Sequence, residues 1–350
     1  MSSATQLARW CAAVAMLFLG SLPGRGNDIL TGAGATFPAP LYMAWFERYC
    51  RDTGQRVIYD SVGSGAGTQK ILKREVDFGA SDAFIGDDDL AFAPGKLLHL
   101  PTCVGAVAIT CNLPGNPTLR LSPETLVDLF KGKIQRWSDP RLARENPDIK
   151  LPDLGVVVVH RADASGTTFI FSDYLTRVSN QWRNTVGRGK TLRWPVGMGA
   201  DGNPGVADMV QRIPGAIGYM ETMYATARNL PTVAVRNLAG QYVTPTLASV
   251  SAAAQIEVPD DTRVYLANTS AATGYPITGF TWVIFYREQA YGQRSPDRAQ
   301  RLANLLWWMI HDGQADTQGL HYAPLPPEAV AKAEAVLRSI RYNGKPILGE

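Results

Sequence analysis

Val156-Val157-Val158-Val159-His160-Arg161-Ala162-Asp163-Ala164-Ser165-Gly166-Thr167-Thr168-Phe169-Ile170-Phe171 runs from an unbroken apolar stretch, through a turn of small and polar residues, into a helix-like segment. An apolar run without alternation is the pattern of a strand covered on both faces. The turn matters chemically. The first turn of a helix leaves about four backbone N–H groups without partners and carries roughly half a positive charge, so it attracts a tetrahedral oxyanion. Small residues let the anion reach that backbone, Ser and Thr hydroxyls add donors, and the planar fork of Arg161 suits bidentate contact to oxygen.

The same arrangement recurs twice. Gly32-Ala33-Gly34-Ala35-Thr36-Phe37-Pro38 leads into Leu41 to Phe46, and Gly63-Ser64-Gly65-Ala66-Gly67-Thr68 leads into Ile71-Leu72. One such turn is ordinarily an N-cap; three in one chain, one of them beginning with Arg, point to a shared anion cradle. Around them, Val57-Ile58-Tyr59, Phe78-Gly79-Ala80, Val104 to Thr110 and Thr281 to Tyr286 read as strands. Ser122-Pro123-Glu124 and Ser295-Pro296-Asp297 read as helix starts. A further helix is expected from Pro327-Glu328 to near Asn343-Gly344, and the stretches 184–205 and 244–273 as irregular connections. The order is α/β.

Composition agrees. The 350 residues are 45% hydrophobic and 19% charged, with 33 Gly and 23 Pro, which is globular rather than fibrous or disordered and long enough for two domains. With 34 basic and 31 acidic residues the net charge is +3, too small for binding that depends on neutralising many nucleic-acid phosphates. Residues 1–26 hold Arg9, an apolar run from Trp10 to Gly20 and the breakers Pro23, Gly24 and Gly26, the pattern of a secretory signal peptide. Cys11 lacks the small and aliphatic residues that precede a lipidated cysteine, so a soluble exported protein is expected. Removal of this segment takes two basic residues and no acid, leaving 32 against 31. Of the four cysteines, Cys50, Cys103 and Cys111 would remain. Eight steps along one strand would hold Cys103 and Cys111 roughly 26 Å apart, so they are not expected to pair, and all three remaining cysteines are expected to be buried small hydrophobes.

Other readings fail on their residues. Gly187-Arg188-Gly189-Lys190-Thr191 contains a Gly-Lys-Thr, but a P-loop needs Gly where Asn184 stands, and a surface loop is the better reading. Ser165 lacks the Gly-x-Ser-x-Gly context of a hydrolase nucleophile, and His160 reads as a satisfied, partly buried histidine. His99, His160, His311 and His321 show no metal-ligand spacing, so no metal and no cofactor is expected. Lys131, Lys133 and Arg136 read as a solvated face.

Thr31-Gly32-Ala33-Gly34-Ala35-Thr36-Phe37-Pro38-Ala39-Pro40, Val76-Asp77-Phe78-Gly79-Ala80-Ser81-Asp82, Arg161-Ala162-Asp163-Ala164-Ser165-Gly166-Thr167 and Pro214-Gly215-Ala216-Ile217-Gly218-Tyr219 resemble, in order, the segments of the periplasmic phosphate-binding proteins of bacterial phosphate ABC transporters. The likeness runs from about Leu30 to the last helix. It implies a type II periplasmic-binding-protein fold with two lobes, each a central sheet flanked by helices, and the ligand in the cleft between them. Lobe one would combine residues 28–105 with 277–350, and lobe two would hold 106–276. The implied partners are inorganic phosphate and the permease subunits of the inner-membrane transporter, with a periplasmic, monomeric and non-catalytic protein. Thr36, Phe37, Ser64, Asp82, Arg161, Ser165, Gly166 and Thr167 would bind phosphate. Asp163 would orient Arg161, cap the next helix, or do both. Gly65 stands where that family often has a second Ser. Sulfate or arsenate binding, and a secreted phosphatase-like enzyme using the same cradle, are the competing functions.

Asp82 separates the anions. An ionised carboxylate only accepts hydrogen bonds, so it repels a fully deprotonated anion and welcomes the proton of hydrogen phosphate. Sulfate near neutral pH has no such proton.

Overall fold

A computed structural model describes residues 29–349. The expected signal peptide and Cys11 lie outside the described residues. The strands are β1 (Leu30–Gly34), β2 (Val57–Asp60), β3 (Phe78–Ser81), β4 (Leu97–Cys111), β5 (Arg120–Leu121), β6 (Val157–Arg161), β7 (Met198–Ala200), β8 (Ala216–Glu221), β9 (Ala234–Arg236), β10 (Tyr242–Val243), β11 (Thr278–Tyr286), β12 (Arg341–Tyr342) and β13 (Lys345–Pro346). Eight of them form one sheet in the order β2-β1-β3-β11-β4-β8-β6-β7. β1 pairs in parallel with β2 and β3, and β6 with β7 and β8; the parallel pairs need helical crossovers, and the helices Ala39–Thr53, Ser64–Leu72, Gly166–Val178 and Gly202–Arg212 supply them.

The two lobes meet on β4. Its first part, Leu97 to Ala106, pairs antiparallel with β11, and its last part, Val107 to Cys111, pairs antiparallel with β8. Val107 N donates to Ile277 O at 2.8 Å, tying the second crossing between lobes to the first. Every residue of β8 and β11 is buried, which accounts for their apolar character on both faces. One core gathers Phe37, Trp45, Phe78, Trp137, Phe171 and Trp282; a smaller one packs Val206 and Val210 of the helix Gly202–Arg212 against Ala108, Val159 and Met220.

Several local expectations need revision. The last helix ends at Arg338, and Asn343 and Gly344, with φ of 50° and 75°, form instead the two-residue turn of a hairpin between β12 and β13. The strand read as Val104 to Thr110 extends over fifteen residues. The stretch 184–205 contains β7 and the start of the helix Gly202–Arg212, and 244–273 contains the helix Leu247–Ala253 with a capping box at Thr246 and Ser249. Ser122 and Ser295 cap their helices as expected, accepting from Thr125 N and Arg298 N. Cys50, Cys103 and Cys111 are free thiols; Cys103 and Cys111 lie buried on β4 as expected, but Cys50, near the end of the helix Ala39–Thr53, is only half-buried.

Candidate functional site

β1 ends at Gly34, and Thr36 and Phe37 follow before the helix Ala39–Thr53. The second helix begins earlier than the sequence suggested, at Ser64 itself, with Gly63 before it at φ 92°, a left-handed conformation that favours glycine. A Cβ on Gly63 would also stand 2.5 Å from Asp163 Oδ2 in the opposite lobe. The third helix, Gly166–Val178, is capped by Ser165, whose Oγ accepts from Thr168 N at 3.1 Å. Asp163 is therefore not the cap. It faces Arg161.

The Arg161 Nε donates to Asp163 Oδ1 at 2.6 Å, its Nη2 to Oδ2, and its Nη1 to Thr167 Oγ1 at 3.3 Å. Burial would raise the Asp163 carboxyl, but the paired guanidinium overrides it and the pKa falls below the ordinary value. Tyr219, with its hydroxyl accepting from Arg161 N at 3.1 Å and sharing a 2.6 Å hydrogen bond with Thr168 Oγ1, fixes the base of this turn.

The hydroxyls are polarised by what surrounds them. Thr36 Oγ1 accepts from Asn203 N at 3.2 Å and Asn203 Nδ2 at 2.8 Å; Thr167 Oγ1 accepts from Asn203 Nδ2 at 3.1 Å and from Arg161. With their lone pairs engaged by N–H donors, both hydroxyls keep their hydrogens for a ligand. Ser165 Oγ accepts one such bond, from Thr168 N, and likewise has its hydrogen to donate. Phe37 contributes backbone only: its ring is buried, filling the space where a Cβ on Gly105 would lie, and its carbonyl accepts from Tyr322 Oη at 2.6 Å.

Asp82 closes the set. It is 1% exposed, accepts from Thr281 Oγ1 at 2.6 Å through Oδ1, and meets Ser64 Oγ at 3.3 Å through Oδ2. Burial drives its pKa from the ordinary 3.8 to about 7, against the opposing pull of Thr281, Arg161, Ser64 and Lys190. At the far end of β3, Asp77 shows the contrast: burial again acts upward, but Arg298, Arg294 and Thr31 win and hold it low. One carboxylate is neutralised by structure, while the other is poised to exchange a proton near neutral pH.

The structure brings all the candidate residues together. A Cβ on Gly166 would stand 2.4 Å from Ser64 Oγ and 2.5 Å from Asp82 Oδ2, so the second and third turns meet Asp82 between the lobes, and Asn203 Nδ2 links Thr36 of the first turn to Thr167 of the third. Gly65 N donates across the cleft to Ala164 O at 2.8 Å, and Tyr224 Oη to Thr36 O at 2.7 Å, so the lobes are closed. Gly166→Ala would prop them apart. Overpacking of this kind costs about 3 kcal/mol, and affinity for an anion in the cradle is expected to fall about a hundredfold. Calorimetry with small-angle scattering over a panel of oxyanions checks this, since the variant should no longer contract on an anion that contracts the wild type.

Sequence reasoning missed Asn203, Thr281 and Lys190. Asn203 was legible in principle, because Asp201-Gly202-Asn203 opens a fourth helix after a short strand and Gly202 has φ 67°. Thr281 carried no signal. It lies at an irregularity in the pairing of β11 with β4 that leaves Thr102 without an opposite residue, and only the tertiary fold aims it at Asp82.

The PBP superfamily domain model matches residues 20–312. The phosphate-binding protein PstS of Pasteurella multocida is 39% identical over 87% of this chain and 89% of its own length. That of Methanocaldococcus jannaschii is 34% identical over 92% and 91%. Among solved structures, a high affinity periplasmic phosphate-binding protein bound with phosphate aligns with a TM-score of 0.72 at 24% identity, covering 87% of this chain and 93% of that one. A putative phosphate ABC transporter substrate-binding protein from Clostridium perfringens, with bound phosphate, aligns at 0.61 and 17%, covering 85% and 100%. These two carry the likeness of fold.

Proposed function

Because the chain belongs to the PstS phosphate-binding proteins of the PBP superfamily, we propose that it captures hydrogen phosphate between its lobes and presents it to the membrane permease of an ABC importer. The observation that carries this reading is the pairing of Asp82 with three donor turns. Thr36, Phe37, Ser64, Ser165, Gly166 and Thr167 bring hydroxyl and backbone donors, Arg161 brings a charged fork held by Asp163, and Asp82 is the lone acceptor. A dianion with one remaining proton matches that inventory; a dianion without one does not.

The sheet supports a division into 28–105 with 277–350 and 106–276. β1, β2, β3 and β11 gather on the first part of β4, and β8, β6 and β7 on its last part. Closure around the anion would give a permease two shapes to distinguish. No helix among the described residues is long and apolar enough to cross a membrane, which is compatible with a protein freed in the periplasm after loss of residues 1–26.

Calorimetry at pH 8, where Asp82 with its pKa of about 7 is largely ionised, tests the reading. Phosphate should bind tightly, and equimolar sulfate should leave the isotherm unchanged. Equal binding of the two anions would remove the role of Asp82, and hydrolysis of a generic phosphomonoester by the purified protein would favour an enzyme.

A further inference from the structure

The Gly187-Arg188-Gly189-Lys190-Thr191 stretch is not an idle surface loop. It is anchored to the helix Gly166–Val178: Gly189 N donates to Ser172 Oγ at 3.2 Å, and Arg188 Nη1 pairs with Asp173 Oδ1 at 2.9 Å while its guanidinium lies over the Phe169 ring. Its last turn braces the anion cradle directly, because Ser165 N donates to Lys190 O at 2.9 Å. From this fixed base the Lys190 side chain crosses to the other lobe. Its Nζ donates to Thr68 Oγ1 at 3.4 Å, one turn beyond Ser64 on the helix Ser64–Leu72, and Thr68 Oγ1 donates in turn to Ser64 O at 2.8 Å.

We propose that Lys190 is a binding-site cation of the cleft, which draws the phosphate dianion in and ties the two lobes across its mouth. This rests on the phosphate reading above. Charge counting shows why the cation is needed. With Asp82 ionised, as it largely is at pH 8, Arg161 alone stands against Asp82 and Asp163, leaving the cradle at −1 toward an incoming dianion; Lys190 brings the sum to zero. The third carboxyl nearby, Glu221, is pushed strongly toward its neutral form by burial and adds little. Burial lowers the Lys190 pKa below the ordinary lysine value, and the negative charges of Asp82 and Asp89 offset part of that and favour the charged form. The ammonium is a compact point charge on a flexible stem, suited to meeting a ligand that arrives through solvent and then closing over it.

The test compares wild type with Lys190→Gln, which keeps a donor for Thr68 but loses the charge, and with Lys190→Arg, which keeps the charge. Phosphate affinity and association rate are measured in about 20 mM and about 500 mM NaCl, because salt screens charge and leaves packing alone. At low salt Lys190→Gln should bind about tenfold more weakly, mainly through slower association, with a flatter salt dependence than wild type. Lys190→Arg should retain the wild-type slope. Equal affinity and equal slope for wild type and Lys190→Gln would overturn the assignment. So would a loss in Lys190→Gln that is as large at high salt as at low, which would mark a packing role. Failure of the wild type to bind phosphate at any salt would instead bring down the phosphate reading, and this assignment with it.

Discussion

Arg161→Ala is expected to weaken phosphate binding by about a thousandfold. Two terms combine. The charge-assisted bonds of the guanidinium to the anion are worth about 3 kcal/mol, and a further 1 kcal/mol or so follows from leaving Asp163 without its partner beside a negative ligand. Together they amount to about three powers of ten. Arg161 is 3% exposed and is held through Nε and Nη1 by Asp163 and Thr167, so its fork cannot be replaced by a neighbouring side chain or by bulk water. Arg161→Lys keeps the charge without the fork and should fall between the two. Titration calorimetry reads both, with thermal unfolding as the control that the variants are folded. An affinity within tenfold of wild type for Arg161→Ala would mean that the anion is held elsewhere.

Asp82→Asn should change which anion binds more than how tightly phosphate binds. The amide can donate where the carboxylate only accepts, so the variant should take up sulfate, improving the sulfate-to-phosphate ratio by about a hundredfold or more while phosphate weakens about tenfold. The wild type should show a milder form of the same effect on acidification. With its pKa at about 7, Asp82 is largely ionised at pH 8 and largely protonated at pH 6. The protonated acid donates a hydrogen bond, so sulfate affinity should rise as pH falls through this range, and Asp82→Asn should lose that dependence. Competition titrations of phosphate against sulfate across the range decide it. A wild-type ratio that does not vary with pH would show that Asp82 is not the discriminating group.

How much of this was legible before the fold was known depends on where the information lies. The three helix starts are local: Gly and Ser at Gly63-Ser64, and Ala162 to Thr167 after a valine strand, announce both their geometry and their donors. Arg161 with Asp163 is two residues apart and equally local. The Asp82–Thr281 bond joins positions separated by 199 residues, and nothing in either segment names the other. Lys190 was read as a surface loop because its loop is defined by tertiary anchors, Arg188 to Asp173 and Gly189 to Ser172, instead of by its own residues. Asn343-Gly344 was legible as a stop signal but not as the kind of stop, since the same pair serves a helix end and a hairpin, and the choice is made by β12 and β13 finding each other.

β4 belongs to both lobes at once, and this sets limits on what the molecule can become. Scission between Ala106 and Val107 would leave β11 on the first part and β8 on the last, but it would remove the continuous strand that fixes one half of the sheet against the other. The jaws also cannot swing as freely as two bodies on a slack tether. Any opening of the jaws has to bend or twist a single strand whose first part is bonded to one lobe and whose last part is bonded to the other.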